Sequence, residues 1–266
     1  MFMKLGFIGA GNMGGAIIGG IVKNKIAEPS EIIVADANTA ALEAAAEKYG
    51  VNVTTDNSEA AKADMLFLCV KPAVIYSVID GIAEFIRPET VVVSIAAGQS
   101  IEKLMDAFGI DELKLARVMP NTPALVGEGM AAVSPNDNMT EAETDNVLRI
   151  FNSLGKAEAV SEKLMDAVTA VSGSSPAYVF MFIEAMADAA VKGGMPRKQA
   201  YIFAAQSVMG SAKMVLETGM HPGELKDMVC SPAGTTIDAV AVLEEEGMRS
   251  AVMKAMDACI EKSKSM

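Results

Sequence analysis

The sequence predicts an α/β fold in which a doubly wound sheet is followed by an all-helical domain. Three observations lead to this prediction. A glycine-rich turn follows the first apolar segment, strand-like apolar segments alternate with helical patterns through the first part of the chain, and the strand-like pattern stops near Leu164. Alternating strands and helices are typical of a mainly parallel sheet. We therefore predict a nucleotide-binding domain over residues 1–162 and a helical domain over residues 163–266.

The composition sets limits on partners and location. The 266 residues are 51% hydrophobic, which is enough for a sizeable core, and the net charge is −12. That charge argues against nucleic acid and anionic membrane surfaces as partners. Three scattered cysteines without C-x-x-C spacing, and the lack of a signal-peptide pattern, indicate a reducing compartment. No apolar run reaches the ~18 residues that a membrane span needs, so we expect a cytoplasmic protein.

The opening segment contains the most specific motif that can be recognised from residue types alone. An apolar strand over residues 5–8 is followed by Gly9, Gly11 and Gly14 at G-x-G-x-x-G spacing, and then by an apolar helix. In a Rossmann fold the first glycine allows a tight turn, the second lets the backbone approach a pyrophosphate, and the third lets helix and strand pack closely. An ordinary strand–helix turn is the alternative, since glycine-rich turns are common. We interpret the segment as a dinucleotide site.

The other elements of the first domain follow from apolar periodicity and from residues that start or stop helices. Asn38 is a suitable cap for the helix after the second strand, and Lys71-Pro72 ends a wholly apolar strand. The predicted strands are residues 31–36, 51–54, 65–70, 90–95, 115–119 and 130–133. The predicted helices are residues 38–48, a short helix from Ser58, a helix to about Ile86, and residues 100–108 and 141–154.

The second domain is predicted to be helical throughout. Its helices are residues 176–192, 196–217, 231–243 and 249–262, with turns at 193–196 and 221–223. Several are apolar over broad faces, as at residues 177–183, and such helices need burial nearly all round. We therefore predict that this domain packs against a second copy of the chain and forms a homodimer. Burial within one subunit is the alternative.

The candidate cofactor site lies where the strands of the predicted sheet end. In an open parallel sheet, ligands bind outside the carboxyl ends of the strands. Several unusual segments fall there, and Asn57 adds a polar group near the adenosine end. The cofactor-binding residues predicted from this pattern are Gly9, Ala10, Gly11, Asn12, Met13, Gly14, Asp36, Asn38, Asn57, Val70, Lys71, Pro72, Ala96, Ala97, Gly98 and Pro120.

Three polar residues at strand ends also have simpler interpretations. Lys71 can be a solvated lysine before a proline, and Asn121 can be a turn residue between two prolines. Asp36 can cap the following helix, or it can bind the ribose hydroxyls of NAD and repel a 2′-phosphate. No arginine stands beside Asp36, so the residues alone favour NADH.

Two serine-rich helix starts form candidate carboxylate sites. Residues 172–176 and 230–236 each offer hydroxyls and backbone N–H groups at the positive end of a predicted helix. Plain helix capping is the alternative. Metal chemistry has little support, because His221 is the only histidine, lies in a His-Pro-Gly turn and belongs to no ligand spacing. We therefore expect no bound metal.

Over essentially its whole length the sequence resembles the pyrroline-5-carboxylate reductases, the last enzymes of proline biosynthesis. The resemblance is carried by Gly-Phe-Ile-Gly-Ala-Gly-Asn-Met-Gly at 6–14, Val-Lys-Pro at 70–72 and Met-Pro-Asn-Thr-Pro at 119–123. Its most specific parts are Val-Ser-Gly-Ser-Ser-Pro-Ala-Tyr at 171–178 and the segment 221–237. It implies a Rossmann domain and a helical domain that interlocks with its partner in a dimer, and leaves further assembly of dimers open.

The resemblance also implies the chemistry. A hydride passes from NADPH or NADH to C5 of the cyclic imine 1-pyrroline-5-carboxylate and gives L-proline. The substrate carboxylate is expected at the loop and helix start around residues 231–236 of the neighbouring subunit. The catalytic candidates are Thr236, through a hydrogen bond to the ring nitrogen, and Lys71, through water. The substrate-binding candidates are Ser172, Ser175, Ser231, Gly234, Thr235, Thr236 and Asn121.

Two positions depart from the family pattern. The family often has Gly-Gly-Thr where this chain has Ala233-Gly234-Thr235, so the added methyl group is expected to narrow the carboxylate loop without abolishing binding. After the second strand, many members carry a serine or threonine suited to a 2′-phosphate, whereas this chain has Asp36. The resemblance therefore leaves the choice between NADH and NADPH open.

Two other functions are compatible with the motifs. A Rossmann reductase of another imine, or of a small 2-oxo or hydroxy acid, would share the first domain. Such enzymes usually rely on a lysine in the helical half, and Lys192 and Lys213 lack that setting. A non-enzymatic dinucleotide-sensing module would need no second ligand site, whereas the serine- and threonine-rich helix starts provide one.

Overall fold

The protein consists of two compact units. The structure, a computed structural model, describes residues 3–265. The first unit runs to Ser174 and includes the chain from Cys259 onwards, and the second unit is Ser175–Ala258. The Cys259 thiol donates to Ser174 Oγ at 3.2 Å and Ser263 Oγ donates to Asp166 Oδ1 at 2.6 Å, so the end of the chain is bonded to the first unit. The domain boundary expected between residues 162 and 163 stays a prediction.

The first unit is built on one mainly parallel sheet. Within the described residues its eight strands have the order β3-β2-β1-β4-β5-β6-β7-β8, and only the β6–β7 pair is antiparallel. The strands are β1 (Leu5–Ile8), β2 (Ile32–Ala35), β3 (Asn52–Thr54), β4 (Met65–Leu68), β5 (Val91–Ser94), β6 (Lys114–Met119), β7 (Gly129–Pro135) and β8 (Gly155–Ala159). The short, largely exposed β8 was missed from the sequence because Gly-Lys-Ala-Glu-Ala contains no β-branched, aromatic or large apolar residue.

Helices cover both faces of the sheet. They are α1 (Asn12–Lys23), α2 (Thr39–Tyr49), α3 (Asn57–Ala61), α4 (Ile75–Asp80), α5 (Ile101–Phe108), α6 (Glu141–Asn152) and α7 (Met165–Val168). Asn38 caps α2 as predicted, because its Oδ1 accepts the N–H groups of Ala40 and Ala41. The predicted helix to about Ile86 is wrong in extent, since α4 ends at Asp80 and only a short 3₁₀ turn follows.

Alternate residues of the central strands supply two separate cores. Phe7 and Phe67 stack with ring centroids 4.6 Å apart in the core on one face. Ile8, Leu66 and Leu68 point into the core on the opposite face. Burial on both faces explains why these strands read as continuous apolar runs. The fold class predicted from the sequence, a doubly wound sheet followed by helices, is confirmed.

The second unit is helical. It contains α8 (Ser175–Lys192), α9 (Arg197–Thr218), α10 (Pro222–Val229), α11 (Thr235–Glu245) and most of α12 (Met248–Lys264). Helix α10 was missed, because the His221-Pro222-Gly223 turn is the helix start: His221 Nδ1 accepts the N–H of Gly223 at 3.0 Å. Helix α11 begins at Thr235 instead of the predicted Ser231, since Ala233 has a left-handed φ of 53° that interrupts helical geometry.

The helices of the second unit leave large apolar side chains on the surface of the single chain. Phe180 is 62% exposed on α8 and Phe203 is 59% exposed on α9, and α10, α11 and α12 expose further methionine, valine and leucine side chains. Apolar surface on this scale marks an interaction site. None of the helices within residues 3–265 combines the length and the apolarity that crossing a membrane requires.

Candidate functional site

The chain changes direction across the sheet between β1 and β4. From β1 it builds β2 and β3 on one side, and it then returns to add β4, β5 and β6 on the other side. In doubly wound sheets, ligands bind outside the carboxyl ends of the strands at such a switch point. The turns after β1 and β4 adjoin there, because Cys69 N–H donates to Ile8 carbonyl O at 2.8 Å. This edge, the cofactor crevice, contains residues 9–14 and 70–72.

The three glycines of the turn fit the three roles that a dinucleotide-binding turn requires. Gly9 has a φ of 110°, and a Cβ there would lie 2.5 Å from Cys69 carbonyl O. A Cβ on Gly14 would lie 2.3 Å from Gly9 carbonyl O, whereas a Cβ on Gly11 would meet no atom within 4 Å. Gly9 and Gly14 are therefore required because any side chain there would clash with the protein backbone, whereas Gly11 borders open space. Gly11 also gives α1 no side-chain cap, so the helix N-terminus can receive a phosphate.

Asp36 connects the end of β2 to the glycine turn. Its Oδ2 accepts the N–H of Ala10 at 2.7 Å, and its Oδ1 accepts the N–H of Asn38 at 2.8 Å. The N–H of Ala10 is thereby occupied within the protein, so any contact of Ala10 with a cofactor would use its other atoms. Asn57 is the first residue of α3, one position after the capping residue Asp56, at the carboxyl end of β3.

The turns after β4 and β5 supply the remaining predicted cofactor residues. Val70, Lys71 and Pro72 lead from β4 into a 3₁₀ turn, and the Lys71 side chain is exposed with no hydrogen bond or ion pair to the described residues. Ala96, Ala97 and Gly98 follow β5. Next to them the hydroxyl of Tyr76 donates to Oε1 of the buried Gln99. This pair was not predicted from the sequence, in which a polar residue directly after Gly98 was the signal for it.

Asn121 has a structural role next to Pro120 at the end of β6. Its Nδ2 donates to Ser172 carbonyl O at 3.0 Å, and its Oδ1 accepts the N–H of Met130 at 2.8 Å. Ser172 lies in a single π-helical turn, Thr169–Gly173, and its hydroxyl donates to Val168 carbonyl O. Asn121 therefore fixes the segment that carries Ser172. Such π-turns are frequent at functional sites, and Ser175 begins α8 directly after this one.

The other predicted substrate residues belong to the second unit. Ser231 lies in the turn before α11, and Gly234 is the residue before the helix, with its N–H donating to Ser231 carbonyl O at 3.1 Å. A Cβ on Gly234 would lie 2.3 Å from Ser231 Oγ, so a larger residue here would displace that hydroxyl. Thr235 and Thr236 form the first turn of α11, which has no side-chain cap. The turn therefore presents hydroxyls and N–H groups at a helix N-terminus.

Thiol and metal chemistry have little support in this geometry. Burial raises the pKa of the Cys69 thiol, beneath the glycine turn, to about 12, so it stays protonated at neutral pH. Within the described part of the chain, no group of three or more histidine, cysteine, aspartate or glutamate side chains is placed to hold a metal ion.

One ion pair with a buried arginine, Arg117–Glu162, was not predicted from the sequence. Arg117 on β6 is 7% exposed and donates to Glu162 Oε1 at 3.0 Å, and the same oxygen accepts the N–H of Ile101 at 2.7 Å. This pair connects β6 to the start of α5 and to the segment that precedes α7. A single arginine inside the otherwise apolar strand Leu115–Met119 was the signal that could have found it.

Known proteins resemble this chain over its full length. Residues 162–266 match the family model of pyrroline-5-carboxylate reductase dimerisation, and residues 4–98 match that of NADP oxidoreductase coenzyme F420-dependent. A pyrroline-5-carboxylate reductase of Escherichia coli is 54% identical, with 100% of this chain and 99% of the relative covered. The chain belongs to the pyrroline-5-carboxylate reductase family.

Two solved structures of family members agree with this assignment. A pyrroline-5-carboxylate reductase from Coxiella burnetii has a TM-score of 0.93 at 32% identity, covering 100% of this chain and 98% of that protein. A Plasmodium falciparum pyrroline carboxylate reductase with NADP bound has a TM-score of 0.89 at 36% identity, covering 99% of this chain and 97% of that protein. The family resemblance seen in the sequence is confirmed, and the individual site residues stay predictions.

The departure from the family pattern at Ala233 leads to a stability prediction. Its φ of 53° is unfavourable for a residue with a Cβ. We expect Ala233→Gly to increase the free energy of unfolding by about 0.5–1 kcal/mol, since strain relief outweighs the added chain entropy. Ala239→Gly, inside α11, is the control, and its free energy of unfolding should fall by about 1 kcal/mol. Denaturant unfolding at one fixed protein concentration measures both, and a destabilised Ala233→Gly would contradict the prediction.

Proposed function

We propose that this chain catalyses the NAD(P)H-dependent reduction of 1-pyrroline-5-carboxylate to L-proline, the last step of proline biosynthesis. The observation that carries the proposal is the 54% identity to the Escherichia coli pyrroline-5-carboxylate reductase over the whole chain. The match therefore includes both the glycine turn and the start of α11.

The cofactor crevice of the first unit is proposed to hold NAD(P)H. When bound, the dinucleotide supplies the hydride. The backbone at Gly11, Asn12 and Met13 faces its pyrophosphate at the N-terminus of α1, where the absence of a side-chain cap leaves N–H groups for an anion. The turns at residues 70–72 and 96–98 complete the crevice at the carboxyl ends of β4 and β5. NADP in the Plasmodium falciparum relative supports this assignment.

The first turn of α11 is proposed to bind the substrate carboxylate. Ser231, Gly234 and Thr235 provide a hydroxyl-rich turn and N–H groups at the positive end of an eleven-residue helix, Thr235–Glu245. This arrangement holds an anion without a cation, which suits a protein with a net charge of −12. Ser172 and Ser175 add hydroxyl-bearing residues, and Asn121 acts through the backbone of Ser172.

Little covalent help is needed for the chemistry, because a protonated imine is already electrophilic. The protein must hold the imine carbon about 3–3.5 Å from the hydride donor and exclude water. Thr236 Oγ1 is proposed to hydrogen bond the ring nitrogen, where it stabilises the nitrogen as its charge changes. Lys71, exposed at the crevice, is proposed to assist through water.

The absorbance of reduced nicotinamide tests the proposal directly. Purified protein is mixed with 1-pyrroline-5-carboxylate and either NADH or NADPH, and oxidation is followed together with proline formation. We expect substrate-dependent oxidation with one proline formed per dinucleotide oxidised. A six-membered cyclic imine acid and a small 2-oxo acid are the comparison substrates. Preference for either of them, or binding of dinucleotide without turnover on any substrate, would contradict the proposed function.

The helical half is proposed to form a homodimer that shares active sites between subunits. The match of residues 162–266 to the dimerisation family model and the exposed apolar helices of the second unit support this. We propose that residues 163–266 form the dimerisation and substrate-binding domain, and that larger assemblies are built from dimers. The cytoplasmic location is also a proposal, based on the three free cysteines.

A complementation experiment tests the sharing of sites. We expect Gly11→Val and Thr236→Val to be inactive separately, one in cofactor binding and the other in catalysis. If each subunit uses the α11 turn of its partner, random mixed dimers contain one intact site, and coexpression restores about a quarter of the activity. Activity no greater than the sum of the two separate variants would show that the sites are not shared.

A further inference from the structure

The adenosine end of the cofactor crevice carries a fixed negative charge. Asp36 directly follows β2, and its two carboxylate oxygens accept the N–H groups of Ala10 at 2.7 Å and Asn38 at 2.8 Å. One donor lies in the glycine turn and the other caps α2, so the carboxylate cannot move away without losing one or both bonds. A carboxylate has about four acceptor positions, and two of them remain for a ligand.

A second carboxylate lies at the end of the neighbouring strand. The N–H of Asp36 donates to Thr54 carbonyl O at 3.3 Å, and Asp56 follows two residues after Thr54. Asp56 Oδ1 accepts the N–H of Ser58 at 2.9 Å. The side-chain hydroxyl of Ser58, and to a smaller extent its backbone N–H, donate hydrogen bonds to the exposed Asp56 carboxyl. These bonds hold the pKa of Asp56 below its usual value, so it is ionised at neutral pH.

Basic residues are absent from the turns that carry these two carboxylates; outside the turns, the charge of Lys62 also helps to lower the pKa of Asp56. The turns over residues 36–40 and 55–58 contain no lysine or arginine. Lys48 lies near the far end of α2, about 14 Å along the helix axis from its start, and Lys62 pairs with Glu59 at 2.6 Å. Lys71 follows β4, which is separated from β2 by β1, at roughly 10 Å for two strand spacings.

From this arrangement we infer that Asp36 makes NADH the preferred cofactor of this chain, a specificity that rests on the proposed reductase function. The ribose hydroxyls of NADH can donate to the two remaining acceptor positions of Asp36. A 2′-phosphate carries about −1.5 to −2 charges at pH 7 and would face Asp36 without a basic partner in the adjoining turns. The inference distinguishes this chain from the Plasmodium falciparum relative, whose structure has NADP bound.

Direct binding measurements test the preference independently of turnover. The full-length protein is titrated with NADH and with NADPH, and cofactor fluorescence is followed; the chain contains no tryptophan to interfere. Calorimetry with ADP-ribose and its 2′-phosphate isolates the adenosine end. We expect the Kd of NADPH to exceed that of NADH by about tenfold or more, because like charges repel at short range. The same difference is expected between ADP-ribose 2′-phosphate and ADP-ribose.

A charge-removing variant assigns the preference to Asp36. Asp36→Asn keeps the shape and one acceptor oxygen, and we expect the ratio of the NADPH Kd to the NADH Kd to fall at least about fivefold. Glu47→Gln removes the same charge from an exposed position on α2 and should leave the ratio unchanged within about twofold. If Asp36 had only a structural role, Asp36→Asn would raise the Kd for NADH and the Kd for NADPH by the same factor.

The possible results distinguish failure of the NADH preference from failure of the proposed function. NADPH binding as tightly as NADH to the unaltered protein overturns the inference, and so does an unchanged ratio in Asp36→Asn. Failure of the unaltered protein to bind either dinucleotide contradicts the proposed function itself, and the inference with it.

Discussion

Replacing Gly11 by valine is expected to weaken NADH and NADPH binding by at least about 100-fold while the protein stays folded. Gly11 has φ −70° and ψ −172°, which a valine can adopt, and a Cβ there would meet no protein atom within 4 Å. The side chain would instead occupy the space proposed for the pyrophosphate. As the residue before α1, valine costs at most about 1 kcal/mol of stability. Cofactor fluorescence titration and thermal unfolding measure the two effects.

Gly14→Ala is the matched control for Gly11→Val, with the opposite expected pattern. A Cβ on Gly14 would lie 2.3 Å from Gly9 carbonyl O and 3.3 Å from the Cβ of Cys69, both inside the protein. We expect a loss of about 3 kcal/mol or more in the free energy of unfolding. If Gly11→Val binds dinucleotide with an unchanged Kd, the crevice between β1 and β4 is not the cofactor site.

The second large effect is expected at Thr236. Thr236→Val keeps the shape of the side chain in the first turn of α11 and removes the hydroxyl. If Oγ1 stabilises the ring nitrogen during hydride transfer, kcat should fall about 10²–10³-fold, while the Kd for NAD(P)H stays unchanged. Steady-state kinetics with cofactor titration checks both values.

Thr235→Val separates catalysis from substrate binding on the same helix turn. A hydrogen bond to a charged group contributes about 1.5–3 kcal/mol. Loss of the bond from Thr235 to the substrate carboxylate should therefore raise KM by about tenfold or more, with a smaller change in kcat. Unchanged kinetics in Thr236→Val would remove Thr236 from the mechanism. The same two effects on KM and kcat in both variants would mean that the turn acts as one binding unit without a specific catalytic hydroxyl.

Much of the fold was predictable because local sequence and tertiary structure agree there. The strands over residues 65–68 and 91–94 are buried on both faces, so continuous apolar runs identify them. Gly9 and Gly14 each meet a steric requirement of the fold, and the G-x-G-x-x-G spacing is enough to predict it. Asn38 caps α2 as its residue type and position indicate.

The remaining features depend on contacts between distant parts of the chain. The strand Gly155–Ala159 forms through pairing with β7 and lacks the large apolar residues that identify the central strands. That Asp36 bonds Ala10, and that Asn121 bonds the backbone of Ser172 fifty-one positions away, follows only from the folded arrangement. The attachment of residues 259–265 to the first unit likewise depends on long-range hydrogen bonds such as that from Ser263 to Asp166.

The most direct measurement is transfer of deuterium from reduced nicotinamide labelled at C4. The protein is supplied with 1-pyrroline-5-carboxylate and NADH carrying deuterium at the transferred position, and the proline formed is analysed by mass spectrometry and NMR. We expect L-proline with one deuterium at C5. Proline without the label, a label at another carbon, or oxidation of the cofactor without proline would contradict hydride transfer to the imine carbon by this chain.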